Sequence, residues 1–186
     1  MKKLAYGFLL MIGLFGASAW VASWAIEPQP FGEARAPDPA QYRDAIIQVY
    51  GGDVWGFRGN FAIHTWIATK ARGATDYRVY EVVSWNLRRS DSVVRISNRD
   101  PDRPWARSPA ILLHELRGDE AEALIDRIHE AALSYPFHRE YTMWPGPNSN
   151  SFTAWVALEV PELKLELPFK AIGQSWMKSE YPALRK

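Results

Sequence analysis

The stretch Trp144-Pro145-Gly146-Pro147-Asn148-Ser149-Asn150-Ser151-Phe152 constrains this chain more than any other. Pro145-Gly146-Pro147 excludes regular structure, because proline lacks a backbone N–H and bars its predecessor from the helical region. Four residues that all favour the helix N-cap follow at once. A turn and a helix start are thus packed into nine positions. A side chain at such a start faces free backbone N–H groups and the positive end of the helix dipole. Those features can bind an oxyanion or lower a nucleophile's pKa. They also serve capping alone, which accounts for all four residues.

The remaining pattern predicts an α+β domain. Residues 45–50, 61–69, 77–84, 93–96 and 110–116 read as strands, rich in β-branched and aromatic residues. Gly51-Gly52 ends the first. Short connections favour antiparallel pairing. Period two puts His64 on one face with Ala62, Trp66 and Ala68, and His114 on one face with Leu112 and Leu116. Residues 98–107, rich in Asp, Arg and Pro, read as a surface loop. A helix begins at Asp119, where Asp119 and Glu122 have capping-box spacing, and Tyr135-Pro136 ends it. A second, buried helix covers residues 152–158. Leu163-Lys164-Leu165-Glu166-Leu167 alternates and predicts a late strand. The tail from Gly173 is polar and aromatic, with Trp176 able to pack back.

Lys2 and Lys3 precede 23 residues, 4–26, without a charge. As a helix these would span roughly 34 Å, against a hydrocarbon core of about 30 Å. One reading is a retained signal anchor with its amino end in the cytoplasm. Another is a signal peptide cut at Ala17-Ser18-Ala19. Both put the domain on the extracytoplasmic, periplasmic side; a buried helix of a soluble fold is the third reading. Residues 27–40 hold Pro28, Pro30, Pro37 and Pro39 and form a linker. The globular domain is 41–186.

Beyond Lys2 and Lys3 there are 20 basic and 21 acidic residues, so the domain lacks an electrostatic footprint for nucleic acid. The absence of cysteine excludes disulfides, thiolate zinc sites and a cysteine nucleophile. The four histidines show no H-x-H or HExxH spacing, which argues against a metal site, and no cofactor motif is present. His129 and His138 flank the first helix and read as surface residues. Trp66, Trp85, Trp105, Trp144 and Trp155 are candidates to wall a groove for glycan or lipid, or to fill the core.

Phe61-Ala62-Ile63-His64-Thr65-Trp66-Ile67-Ala68, Tyr80-Glu81-Val82-Val83 and residues 141–152 together resemble a bacterial family of unknown function. A more distant similarity is to circularly permuted papain-like proteins: NlpC-type hydrolases, lecithin–retinol acyltransferase relatives and deubiquitinating or desumoylating peptidases. These carry a His on an early strand and a later Cys at a helix start, within a pattern like Asn-Cys-Asn-His-Phe. Asn148-Ser149-Asn150-Ser151-Phe152 has the same frame, with Ser149 where those proteins have Cys. The resemblance implies Ser149 as nucleophile, His64 as base and Glu81 as the group orienting His64. It implies an antiparallel sheet packed with two helices behind the N-terminal segment. Serine is a far weaker acid than a thiol and needs concerted proton removal.

Three functions follow. The reading adopted is a membrane-tethered, non-catalytic accessory or binding domain, docked on a membrane complex or an envelope component. The alternative is a serine-variant hydrolase or acyltransferase acting on an amide or ester, with helix N–H groups as its oxyanion site. A lipid-facing structural domain, resting on tryptophan content alone, is the third.

Overall fold

The computed structural model describes residues 36–186. The expected membrane segment at 4–26 and most of the linker lie outside the described residues. Among the described residues, no helix is long and apolar enough to cross a membrane.

Five strands form one antiparallel sheet: β1 (Ile46–Asp53), β2 (Ile63–Lys70), β3 (Arg78–Val82), β4 (Val94–Asn98) and β5 (Ile111–Arg117). Their spatial order is β4-β3-β2-β1-β5. Among the described residues, three helices accompany them: α1 (Gly118–Leu133), α2 (Ser149–Glu159) and α3 (Gln174–Leu184). The fold is α+β, and all five expected strands are present. The third helix occupies the tail that the sequence leaves unassigned.

Each face of the sheet carries its own core. Ile47, Val49, Ile67, Tyr80 and Val82 face the helices, meeting Ala121, Leu124 and Ile128 of α1 and Phe152 and Val156 of α2. Ile46, Tyr50, Trp66, Ala68 and Val79 face the other way, against Trp105 and Leu112. This two-sided burial explains why β1 and β2 read as nearly continuous apolar runs.

Four local expectations are corrected. Gly51-Gly52 does not stop β1, which runs on to Asp53. Gly52 is instead the place where Trp105 crosses the strand: a Cβ there would lie 2.8 Å from Trp105 Cβ. Helix α1 starts one residue early, at Gly118, and its N-cap Arg117 makes no side-chain cap. No capping box forms, because Asp119 pairs with Arg72 and Glu122 accepts the Arg72 backbone N–H at 2.8 Å. A register shift at Val49/Tyr50 interrupts β1–β5 pairing. It sends Leu112 to one core and Leu116 to the other, so His114 does not share a face with both. Finally, residues 163–167 form no strand. Pro161–Leu163 is a turn of 3-10 helix that ends at Lys164 in the left-handed region.

Candidate functional site

Asn148, Ser149, Asn150 and Ser151 divide the work that the sequence assigns to capping. Asn148 alone is the N-cap of α2; its Oδ1 accepts from the backbone N–H groups of Asn150 and Ser151. Asn150 clamps the helix to the sheet. Its amide donates to the carbonyls of Ile63 (2.9 Å) and Ile172 (2.8 Å), and its Oδ1 accepts from the Thr65 hydroxyl at 2.9 Å. The Ser151 hydroxyl donates to the Gly173 carbonyl at 3.0 Å. Gly173 is required there: its φ is +108°, and a Cβ would lie 2.5 Å from Asn148 Oδ1. Ser149 is left over. Its side chain is buried, yet its hydroxyl has no hydrogen-bond partner among the described residues.

His64 is the second residue of β2, opposite Gly52, and points to the face away from the helices, with Trp66. Its Nε2–H donates to Glu81 Oε2 at 3.3 Å. Glu81, on β3, is 0% exposed and also receives Arg95 at 2.9 Å and Arg99 at 3.4 Å. Glu81 thus meets His64, as the resemblance implies, and does so fully buried. Trp105 stacks on the imidazole, with centroids 3.5 Å apart, and Trp85 stacks on Trp105 at 5.6 Å. The loop carrying Trp105 is pinned by the Trp66 indole N–H, which donates to the Pro101 carbonyl at 2.7 Å.

The electrostatics fix the ring's state. Burial pushes the Glu81 carboxyl up, but the hydrogen bond from His64 and the charges of Arg99 and Arg95 hold it below the usual carboxylate range. An ionised carboxylate only accepts, so Nε2 must carry the proton. Burial lowers the pKa of His64, opposed by Glu81 and reinforced by Arg99 and Arg95, so the ring is neutral at pH 7. Nδ1 is then a bare acceptor, with no partner among the described residues.

These shifts predict acid lability. Above pH 6.5, where unfolded histidine is neutral, the His64 contribution is complete. As pH falls below 6.5 the unfolded chain takes up a proton that the folded one refuses, and stability drops by at most about 1.4 kcal/mol per pH unit. Protonation of Glu81 adds a further loss below pH 4.5. Urea unfolding at pH 7.5 and 5.5 checks this: His64→Gln is expected to reduce the difference between the two pH values. An equal difference in both proteins would refute it.

His64 and Ser149 line one cavity of about 630 Å³. No hydrogen bond joins them: the imidazole lies on the sheet face opposite the one that α2 packs against. Asn148 and Asn150 share the buried floor, and Trp85, Trp105 and Tyr141 form the walls. At the mouth stand Trp55, Phe57, Phe61, Met143 and Trp144, with exposures of 82%, 77%, 58%, 60% and 75%. Arg58 is also exposed there, its guanidinium 3.7 Å from Met143 Sδ.

Of the tryptophans proposed as groove walls, Trp85, Trp105 and Trp144 line the cavity, whereas Trp66 and Trp155 are core. Sequence reasoning missed Trp55, Phe57 and Met143. The available signal was an aromatic pair inside a glycine-punctuated loop, where a core explanation is weak. His129 is half-buried, its Nδ1 3.4 Å from the Tyr80 hydroxyl, while His138 is exposed.

A family model described as "Protein of unknown function (DUF3750)" matches residues 44–176, a span holding His64, Glu81, Trp105 and Ser149. No curated protein and no solved structure matches the chain.

Proposed function

Since the chain belongs to this family of proteins of unknown function, the site itself has to supply the role, and we propose a non-catalytic binding domain for an apolar ligand. The observation that carries the reading is the cavity. Its volume falls in the range of small-molecule sites, its walls are aromatic, and its buried polar groups gather on the floor. The same site is poorly equipped for catalysis. Asn148 consumes two of the N–H groups an oxyanion would need, and Ser149 has no hydrogen bond to a base.

Membrane tethering by residues 4–26, with the domain on the extracytoplasmic side, completes the proposal. The uncharged run behind Lys2-Lys3 supports it, as do the exposed aromatic residues at the cavity mouth, a composition suited to a membrane interface or a membrane-complex partner. A permuted papain-like scaffold belongs to the same reading, supported by chain order: a strand histidine first, a helix-start serine later.

A serine-variant hydrolase or acyltransferase is the second reading. It is favoured by one observation, that Ser149 and the Nδ1-bearing ring of His64 open on one cavity. Fluorophosphonate treatment of the full chain separates the two. The binding reading predicts that Ser149 stays unmodified in protein that still binds the uncharged dye phenylnaphthylamine. Stoichiometric labelling of Ser149, abolished by His64→Gln, would replace it with the enzyme reading.

A further inference from the structure

We propose that the cavity selects an acyl amphiphile with an uncharged head that pairs a carbonyl with a hydroxyl or amide N–H, as in a monoacylglycerol or a fatty acyl amide. This rests on the binding reading above and names its ligand class. Asn148 and Asn150 have their side chains committed, to the helix start, the Met143 carbonyl, β2 and the segment around Ile172. Two floor side chains remain among the described residues, the Ser149 hydroxyl, which donates or accepts, and His64 Nδ1, which only accepts; the Tyr141 hydroxyl belongs to the wall.

Nδ1 cannot easily become a donor. Glu81 is gripped by Arg95 and Arg99 and holds the ring proton at Nε2. Trp105, stacked on the ring, keeps it from turning. A ligand atom facing Nδ1 must therefore bring its own hydrogen. A carbonyl oxygen beside it would take the Ser149 hydroxyl proton.

A carboxylate head fits badly. It has no hydrogen for Nδ1 and would lose its hydration without a buried cation to compensate. Arg58, the one arginine or lysine lining the cavity among the described residues, is exposed at the mouth rather than on the floor. The exposed aromatic residues at the mouth suit a chain that arrives from an apolar phase.

The test compares two dansyl-labelled ligands of equal chain length, a monoacylglycerol and the corresponding fatty acid. Each is titrated against the full chain in lipid nanodiscs, read by energy transfer from tryptophan and corrected with empty discs. The monoacylglycerol is expected to bind about tenfold tighter, the worth of one to two hydrogen bonds. Ser149→Ala, a small change at the floor, is expected to remove most of that preference in protein whose urea midpoint shows it folded, and phenylnaphthylamine titrated into the wild-type protein reads the cavity itself. Fatty acid binding as tightly as monoacylglycerol, or a preference that survives Ser149→Ala, would overturn the head-group assignment and leave the apolar cavity standing. Binding of none of the three probes would overturn both.

Discussion

Glu81→Ala is expected to lower stability by about 3–5 kcal/mol, the cost of removing one partner from a buried ionic cluster. Glu81 is fully buried and answers three groups at once: His64, Arg95 and Arg99. Without it the Arg99 guanidinium, 13% exposed, loses its buried counter-charge, and that of Arg95, 38% exposed, is left to solvent. Arg95 and Arg99 already each hold an Nε without a partner, so they have little capacity to re-pair. For a domain of this size the loss corresponds to a fall in Tm of roughly 10 °C. Glu81→Gln keeps the shape and an acceptor for His64 but loses the charge, and is expected to fall between the two. Calorimetry on the three proteins checks the order. A Glu81→Ala protein within about 1 kcal/mol of wild type would show the cluster to be incidental.

Asn150→Ala is expected to cost about 3 kcal/mol and to loosen the cavity floor with it. The substitution leaves the carbonyls of Ile63 and Ile172 buried without their donor and removes an acceptor from Thr65. These bonds tie three segments distant in sequence: β2, the start of α2 and the turn before α3. Asn150→Asp gives a sharper control. It keeps the size and the acceptor but replaces two donors with an anion facing two carbonyls, so it is expected to be at least as damaging. Urea midpoints with unchanged m-values report the effect. Full stability in Asn150→Asp would show that the helix start is held by packing alone.

The sequence revealed more of the frame than of the site. All five strands were legible because β-branched and aromatic runs ended at turn residues. The late strand at 163–167 failed because alternation over five residues is also compatible with an irregular segment lying on the core: Leu163, Leu165 and Leu167 pack there without a strand partner. His114 was misplaced because a bulge shifts the face of every later residue, and nothing local announces it. For the site, Asn148 to Ser151 announced a helix start, but four interchangeable N-cap residues could not say which one caps. That division depends on contacts with Ile63, Ile172 and Gly173, at long range. Glu81 was named through the resemblance as the partner of His64, but its ion pairs were not legible, since Arg95 and Arg99 come from β4 and the loop after it. The aromatic mouth was hidden because burial and exposure leave the same mark on composition.

Occupancy of the cavity is the most direct measure of the account. Phenylnaphthylamine titrated into the full chain in nanodiscs, with Ala62→Trp as the obstructed reference, reads it without any assumption about a head group. Ala62 lines the cavity beside His64, so an indole there fills the space a ligand needs. The account predicts one saturable site in the wild-type protein and its loss in a folded Ala62→Trp variant. Equal dye binding by the two folded proteins, or none by the wild type, would contradict it.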